Sequence, residues 1–294
     1  MTSTLKTFME EQLPIIESHM YEFVEDLTAP TSLKEAMLYS LKAGGKRVRP
    51  LFVIAVMEYL NNPTKAGYTV GAAVEMIHTY SLIHDDLPSM DNDDFRRGKP
   101  TNHKVFGEAA AILAGDALNT LPFGILARLE NVSAEQKVEL IRLLSETAGA
   151  EGMVGGQVLD IEGEKRQLTL DELVRVHENK TGAILRFSIE AGAILAGATQ
   201  EQRNLFVEYA YHIGLAFQIK DDILDIEGTT EELGKTAGKD VASEKSTYPA
   251  LLTLDGAKEK LAEHATKAHA CLEKIPSNSK YLADLTDYII NRNK

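Results

Sequence analysis

The sequence has a single cysteine, far fewer basic than acidic residues, and no long uninterrupted apolar segment. With Cys271 alone an intrachain disulfide is impossible, and a reducing cytoplasm is the simplest setting. Every apolar run is interrupted by Lys, Glu, His or Asp, so the sequence predicts no helix that crosses a bilayer. Residues 1–20 lack a cationic start followed by an apolar block, and we interpret them as an amphipathic helix instead of an export signal.

The charge balance is acidic. The 294 residues include 31 Lys and Arg against 44 Asp and Glu, which gives a formal net charge of −13 at pH 7. This balance argues against a nucleic-acid-binding protein, which needs a basic surface. Much of the imbalance comes from aspartates in two parts of the chain: Asp85, Asp86, Asp91, Asp93, Asp94, Asp221, Asp222 and Asp225.

Apolar residues recur at three- and four-residue spacing along most of the chain, which predicts helices. Alternating strand patterns joined by Asn-Gly or Asp-Gly turns are absent. Clusters of glycine, asparagine and proline predict the breaks between helices, for example at 43–45, 61–63 and 155–156. No Pro/Ser-rich linker and no short repeat divides the sequence. We therefore predict one all-α domain over residues 1–294, with a dimer interface among its helices.

Each of two distant apolar helical segments ends in a cluster of three aspartates. The candidate metal ligands are Asp85, Asp86 and Asp91 in the first acidic cluster and Asp221, Asp222 and Asp225 in the second. Like charges at this density are costly unless cations lie between them. Because Mg²⁺ takes only one or two carboxylates together with substrate phosphates, the clusters predict magnesium and a phosphorylated small molecule.

The two acidic clusters differ in their expected geometry. On a regular helix Asp221 and Asp225 lie about 40° apart on one face. Asp85 and Asp91 would be separated by about 120°, and Pro88 between them would break the hydrogen-bond ladder. We therefore predict that the first helix ends near Asp86 and that an irregular turn brings Asp91 back toward the metals.

Two basic features could bind phosphate opposite the acids. Segment 44–50 begins with a Gly-Gly turn and contains Lys46 and Arg49 near a helix start, where free backbone N–H groups and cations suit phosphate. A surface basic turn has the same composition and is the alternative. His78 lies two turns before Asp85 on the same helix face, although a packed core histidine is an alternative there too.

Arg96 and Arg97 follow the first acidic cluster directly, and a salt bridge to Asp93 or Asp94 is the alternative to a phosphate site. Other polar candidates are Lys180, Thr181, Lys235 and Gln218. Gln218 lies one turn before the second cluster. Both kinds of site in one cavity suggest two phosphorylated substrates. A metal-bridged diphosphate is a good leaving group, because cations stabilise the charge that develops as the C–O bond breaks. A diphosphate held only by basic residues is anchored with less activation, which suits a head-to-tail coupling.

These motifs resemble those of the trans-isoprenyl diphosphate synthases along nearly the whole chain. The resemblance is carried by segments 44–50, 77–88, 91–103, 180–182, 217–225 and 234–240. It implies an all-α isoprenoid-synthase helical bundle around a central cavity, normally a homodimer, with three magnesium ions between the acidic clusters. It also implies that an allylic diphosphate ionises, that the double bond of isopentenyl diphosphate attacks the cation, and that the released diphosphate removes a proton.

The resemblance implies roles residue by residue. Isopentenyl diphosphate would be held by Lys46, Arg49, His78 and Arg97. The allylic diphosphate would be held by Arg96, Lys180, Thr181, Gln218 and Lys235. The metal ligands would be Asp85 and Asp91 in the first cluster and Asp221 in the second, with Asp86, Asp222 and Asp225 completing the metal set. The catalytic residues would be Asp85, Asp86, Asp91, Arg96, Lys180, Asp221 and Lys235.

The residues just before the first acidic cluster bear on product length. Ser81 lies one turn below Asp85 and Tyr80 lies beside it, so the tyrosine can stop a growing chain. In the family resembled, this pair goes with a C15 product, so we predict farnesyl diphosphate, with geranylgeranyl diphosphate as the alternative. Segment 228–240, rich in Gly, Thr and Lys, is predicted to be a mobile loop that closes over the phosphates and excludes water. An ordinary surface loop is the alternative.

Three other functions use similar residues. A terpene cyclase would carry one aspartate-rich motif and a different Asn/Ser/Glu metal motif, and would not need the basic site of Lys46. A metal-dependent phosphohydrolase is suggested by His84-Asp85, but further histidines at metal-ligand spacing are not evident. A non-catalytic regulatory subunit tends to lose an aspartate cluster, whereas this chain keeps both.

Overall fold

The protein is built almost entirely of α-helices, as the apolar periodicity predicts. The computed structural model describes residues 1–164, 166–227 and 246–292. The helices of the first half are α1 (Ser3–Glu25), α2 (Thr31–Leu41), α3 (Val48–Tyr59), α4 (Ala66–Asp85), α5 (Asn102–Phe106), α6 (Glu108–Ala127) and α7 (Ala134–Ala148). Those of the second half are α8 (Met153–Gly163), α9 (Leu170–His177), a π-helical turn (Glu178–Gly182), α10 (Ala183–Leu195), α11 (Gln200–Glu227), α12 (Tyr248–Glu273) and α13 (Tyr281–Asn291). The all-α prediction is confirmed.

A short β-hairpin after α4 was not predicted. Strands β1 (Phe95–Arg96) and β2 (Lys99–Pro100) pair in antiparallel fashion. The turn between them has φ of 53° at Arg97 and 74° at Gly98. Two left-handed residues are what a two-residue hairpin turn needs, and here an arginine adopts the conformation that Asn or Asp usually adopts. The hairpin sets Arg96 and Arg97 on the end of α4 and on the turn before α3.

Two hydrophobic clusters form the core, and both include residues of α3 and α10. The first lies mainly among α4, α6 and α7, and the second among α11, α12 and α13. Every residue of α10 except Arg186 is buried, as expected for a helix that is apolar all round. The helix pairs that pack most extensively are α11 with α12 and α4 with α6. The division into a single domain over residues 1–294 stays a prediction.

The predicted break at Gly155-Gly156 was wrong, because both residues lie inside α8. A side chain at Gly156 would place its Cβ 2.1 Å from the backbone nitrogen of Lys180. This glycine therefore permits a close approach between α8 and the π-helical turn. A glycine required for close packing and a glycine that ends a helix look alike in sequence.

Helix α6 corrects the expectation that no segment is long and apolar enough to span a bilayer. Among the described residues it is the one helix that meets this test, with a mean hydropathy of 1.4 over its apolar stretch. Its buried face, which includes Ala111, Ala114 and Leu118, packs against α4 and α2. Core helices pass the same test of length and composition, so membrane insertion does not follow from it.

Candidate active site

The first acidic cluster lies where α4 ends, in the irregular turn that the sequence predicts. Asp85 is the last residue of α4 and Asp86 is its C-cap. The backbone N–H of Asp91 donates to the carbonyl oxygen of Asp85 at 2.9 Å, and that of Asn92 donates to the carbonyl of Leu87 at 3.1 Å. These bonds fold the chain back, so that Asp91 returns to the helix end. The predicted helix end and return turn are confirmed.

Asp86 is buried and holds Arg96. Its Oδ1 accepts from Nε and Nη2 of Arg96 at 2.8 and 2.6 Å, and its Oδ2 accepts from Nε at 2.9 Å. The alternative partner suggested by sequence, Asp93, lies farther away, with its Oδ2 3.9 Å from Nη2. Both oxygens of Asp86 are thus directed at a guanidinium. In this structure Asp86 orients Arg96, which is a different role from the metal ligation expected for it.

Asp85 is the member of the first cluster whose carboxyl pKa is strongly raised. Burial raises the pKa of its carboxyl to about 6, the positive charge of Lys180 acts against this rise, and the negative charge of Asp91 adds to it. The interaction with Lys180 places the π-helical turn opposite the end of α4. A carboxylate whose ionised form is disfavoured by burial and by a like charge suits a divalent cation, which would stabilise that form.

The second acidic cluster lies within α11, which continues to Glu227 as one helix. Asp222 is buried, and its Oδ2 accepts the backbone N–H of Tyr248 at 2.9 Å at the start of α12. Asp225 is buried as well. The side chain of Asp221 is 42% exposed, and its Oδ1 accepts from Nη2 of Arg292 at 2.7 Å. Only Asp221 of this cluster therefore presents its carboxylate substantially to solvent.

In the described part of the chain, no group of three or more His, Cys, Asp or Glu side chains could by itself hold a metal ion. The acidic clusters therefore do not form a closed protein cage. The assignment of the six aspartates to metal stays a prediction.

Three residues predicted for isopentenyl diphosphate lie together. Burial, and then the charges of Arg49 and Arg97, hold the pKa of His78 well below its usual value. His78 is therefore neutral at physiological pH, with arginines around it. Lys46 is partly exposed in the glycine turn before α3. The structure thus brings Arg49, His78 and Arg97 within electrostatic reach of one another.

Arg49 has an unfilled donor. Its Nε is buried and has no hydrogen-bond partner among the described residues. Burial lowers the pKa of its guanidinium, while the negative charges of Glu75 and Asp221 raise it. Arg49 therefore lies within electrostatic reach of the second acidic cluster. A buried donor without a partner is the kind of group that an anionic ligand would satisfy.

Arg47 separates the two basic residues of the motif and has a structural role that the sequence analysis missed. It is 2% exposed and has a left-handed φ of 49°. Its guanidinium donates to Glu75 at 2.9 Å, to Glu17 at 3.1 Å and to the carbonyl of Leu41 at 2.5 Å. The signal that could have found this pair is Glu75, a charged residue in the middle of an apolar helix.

The glycine turn before α3 receives Arg97. Its Nη1 donates to the carbonyl oxygen of Gly44. A Cβ at Gly45 would lie 2.6 Å from the guanidinium carbon of Arg97, and Gly44 and Gly45 have φ of 89° and 131°. Both glycines are therefore required, for left-handed backbone and for the approach of the guanidinium.

The π-helical turn carries Lys180 and Thr181. The ammonium group of Lys180 donates to Oδ2 of Asp160, on α8, at 2.6 Å. Asp160 was not singled out in the sequence, because its helix shows no motif. On α11, Nε2 of Gln218 lies 3.3 Å from Nδ1 of His177, the residue just before the turn. Lys235 and the predicted loop 228–240 lie outside the described residues.

Tyr80 and Ser81 lie below the first acidic cluster. Tyr80 is 6% exposed within the first core cluster, and its ring meets that of His84 edge to face with centroids 5.5 Å apart. Burial and the charge of Asp85 raise the pKa of its hydroxyl to about 12. The hydroxyl of Ser81 donates to the carbonyl of His78 at 2.9 Å. Tyr80 is thus buried within α4, five residues before Asp85, and its role as a chain-length floor stays a prediction.

Comparison with known proteins agrees with this geometry. Residues 30–284 match the model of the polyprenyl synthetase family. The chain is 51% identical over 294 residues to farnesyl diphosphate synthase of Bacillus subtilis (strain 168), with 99% of each chain covered. It is 50% identical over 291 residues to farnesyl diphosphate synthase of Geobacillus stearothermophilus, with 98% of each covered.

A solved structure extends the likeness to the whole architecture. The geranylgeranyl pyrophosphate synthetase of Pyrococcus horikoshii superposes with a TM-score of 0.90 at 29% identity, covering 98% of each chain. The helical bundle predicted from the sequence is confirmed.

Proposed function

The chain belongs to the polyprenyl synthetase family, and from this premise we propose that it synthesises farnesyl diphosphate. It is a prenyltransferase that condenses isopentenyl diphosphate head to tail with dimethylallyl or geranyl diphosphate and releases diphosphate. The observation that carries this proposal is that Asp85 lies within electrostatic reach of Lys180. The basic group of Arg49, His78 and Arg97 lies on the same part of the structure. Two diphosphates can be bound there in two chemically different ways. The identity of about one half to two bacterial farnesyl diphosphate synthases supports the product.

Asp85, Asp91 and Asp221 would hold magnesium, three ions in each site. When bound, Mg²⁺ stabilises the negative charge that develops on the departing diphosphate. Asp86, Asp222 and Asp225 support these ligands from the protein side. Asp86 does so by fixing Arg96, and Asp222 by joining α11 to the start of α12.

The allylic diphosphate is bound by cations that carboxylates already orient. Asp86 holds Arg96 and Asp160 holds Lys180, each at hydrogen-bond distance. Side chains held in this way lose little freedom when substrate arrives, which keeps the reacting carbon in position. The remaining members of the allylic site in this proposal are Thr181, Gln218 and Lys235.

Isopentenyl diphosphate is anchored without metal by Lys46, Arg49, His78 and Arg97. The buried Nε of Arg49 supplies a donor with no partner in the described protein, and neutral His78 supplies one donor and one acceptor. No side-chain nucleophile is needed, because the double bond of isopentenyl diphosphate attacks the allylic cation. The released diphosphate then accepts the proton.

Product length depends on Tyr80 and Ser81 in this proposal, which gives a C15 product with C20 as the alternative. Replacing Tyr80 with alanine opens space below Asp85, so we expect products longer than C15 in chromatography of the reaction mixture. Tyr80→Phe keeps the ring and is the matched control, with farnesyl diphosphate still the main product. Unchanged chain lengths in Tyr80→Ala would remove Tyr80 as the floor.

We also propose that the protein is a cytoplasmic homodimer that binds neither nucleic acid nor membrane interior. Helix α6 exposes Ile112 to 42% and Leu113 to 58% in the monomer, and an exposed apolar pair suits a subunit interface. Sedimentation of the wild type and of Leu113→Glu tests this. A dimeric wild type and a monomeric variant are expected, and a monomeric wild type would contradict the proposal.

One experiment tests the activity directly. The purified protein is incubated with Mg²⁺, labelled isopentenyl diphosphate and each allylic primer, and product lengths are measured by mass. Farnesyl diphosphate is expected with both dimethylallyl and geranyl diphosphate. Cyclic hydrocarbon, simple hydrolysis of the diphosphates or no reaction would support the cyclase, the phosphohydrolase or the non-catalytic subunit respectively.

A further inference from the structure

His177 lies between two parts of the candidate site and has no role in the function proposed so far. It is the last residue of α9 and directly precedes the π-helical turn that carries Lys180. Its side chain is buried, with 8% of the residue exposed. A buried histidine at this position is either a packing residue or a link between the turn and α11.

The hydrogen-bond pattern of the ring determines where its proton lies. Nε2 of Gln218 is 3.3 Å from Nδ1 of His177. An amide nitrogen only donates, so Nδ1 is the acceptor in this contact and Nε2 is the ring nitrogen that carries a proton. That Nε2 lies 3.6 Å from Oδ2 of Asp222 and has no hydrogen-bond partner among the described residues. One edge of the ring thus contacts Gln218 and the other edge is directed toward Asp222.

One face of the His177 ring contacts Tyr248, the residue whose backbone bonds to Asp222. The rings of His177 and Tyr248 stack with centroids 5.8 Å apart and an interplanar angle of 10°. The backbone N–H of the same Tyr248 donates to Asp222. Asp222 is therefore approached by the start of α12 and by the imidazole edge together. Movement of His177 would disturb both contacts of this carboxylate.

The π-helical turn after His177 has little room to move on its own. A Cβ at Gly156 would lie 2.1 Å from the backbone nitrogen of Lys180, and a Cβ at Gly214 would lie 3.2 Å from Cα of Gly182. The backbone of α8 and that of α11 thus both pack closely on the turn. Because packed elements transmit displacement, a shift of the ring would be passed to the turn that presents Lys180.

We propose that His177 is a positioning residue that keeps Gln218 and Asp222 of α11 at a set spacing from Lys180. The two halves of the allylic-diphosphate site lie on separate elements, and the imidazole joins them through its acceptor edge and its stacked face. This inference rests on the proposed function. Its specific consequence is that binding of the allylic diphosphate depends on His177, whereas binding of isopentenyl diphosphate does not.

The test replaces His177 with phenylalanine, which keeps an aromatic ring to stack on Tyr248 but removes both ring nitrogens. We expect the KM for geranyl diphosphate to rise about tenfold and the KM for isopentenyl diphosphate to change less than about twofold. Calorimetric binding of geranyl diphosphate alone should weaken by the same factor. His177→Asn offers its Oδ1 as an acceptor to Gln218 and should restore most of the affinity.

A double-mutant cycle distinguishes positioning from packing. Gln218→Leu removes the same hydrogen bond from the other partner, so adding His177→Phe to it should have little further effect on the KM for geranyl diphosphate. His269→Phe, at a partly exposed histidine of α12 that pairs with Asp287, is the matched control and should leave both KM values unchanged. If His177→Phe does not fold, the comparison of His177→Asn with His177→Leu decides the question, because only the second, which offers no acceptor to Gln218, should raise the KM for geranyl diphosphate.

The inference is overturned if His177→Phe raises both KM values equally, or if it lowers the melting temperature and leaves both unchanged. Failure of the wild type to condense the two diphosphates would instead overturn the proposed function. The two failures are therefore distinguishable in the same set of assays.

Discussion

The two acidic clusters obtain their partners from very different distances along the chain. Asp86 pairs with Arg96, ten residues later, through a hairpin that follows directly from the helix end. Asp221 pairs with Arg292 and Asp222 with the backbone of Tyr248, 71 and 26 residues away. The first cluster is a local structure, whereas the second depends on how α11, α12 and the end of α13 pack.

The clusters also differ in how their charge is balanced. In the first, burial leaves Asp85 with a pKa of about 6, although Lys180 and Arg96 lie near. In the second, the most exposed carboxylate, Asp221, already has an arginine at 2.7 Å. The comparison indicates that a bound cation would relieve repulsion at Asp85, but would compete with Arg292 at Asp221.

The largest expected effect is the loss of either principal carboxylate. Asp85→Asn and Asp221→Asn should each lower turnover by about 10²–10³-fold, the effect of removing one group that stabilises a developing charge. Steady-state rates with geranyl and isopentenyl diphosphates at saturating Mg²⁺ measure this. Asp94→Asn, which breaks an exposed pair with Lys104, is the control and should retain the wild-type rate. Near-normal rates in either main variant would count against the metal assignment.

A smaller effect should appear in the stability of the metal-free protein. The folded-state pKa of Asp85, about 6, exceeds its ordinary value of 3.8. Between these two pH values the folded state therefore binds more protons than the unfolded state. The stability that Asp85 contributes to the folded protein is lost as the pH rises through about 6. Asp85→Asn avoids that loss. We therefore expect the free energy of unfolding of the variant to exceed that of the wild type by about 1–2 kcal/mol above pH 7 and to match it below pH 4.

Urea unfolding in EDTA at several pH values measures this difference. The difference between variant and wild type isolates Asp85 from the other carboxylates, whose contributions are common to both proteins. A difference that does not change between pH 4 and pH 8 would show that ionisation of Asp85 carries no cost.

The smallest expected effect concerns the second cluster. Arg292→Gln removes the cation beside Asp221, so the Mg²⁺ concentration for half-maximal activity should fall about twofold to fivefold. Calorimetric titration of Mg²⁺ with substrate analogue present measures the same change without turnover. Lys274→Gln, which removes a positive charge at the C-cap of α12, is the control and should leave the Mg²⁺ requirement unchanged. A rise in the Mg²⁺ requirement would mean that Arg292 assists the site and does not compete with the cation.

Features that depend on neighbouring residues were predictable from the sequence. Pro88 ends α4 where expected, and Asp91 returns to Asp85 through backbone bonds within six residues. The glycine turn before α3 is present, and α11 is continuous through the second cluster. In each of these cases the physical cause, a missing N–H, a left-handed φ or helical periodicity, acts over a few residues.

Features that depend on distant segments were missed or misread. Asp160 beside Lys180 lies on a helix that shows no motif, and Glu75 beside Arg47 lies in the middle of α4, away from the motif at its end. The pair Gly155-Gly156 was interpreted as a break, but it permits backbone contact with the π-helical turn. Sequence pattern does not tell which face of one helix meets which residue of another.

The amino-acid sequence by itself determined the helical class, the acidic and basic character of the site, and the place where the first helix ends. Only the tertiary structure decided which of the aspartates are already paired, with Asp86 directed at Arg96 and Asp221 at Arg292. The reason is physical: helix formation and turns follow from local backbone preferences, whereas the partner of a buried charge depends on which distant side chains the packed helices bring within hydrogen-bond range.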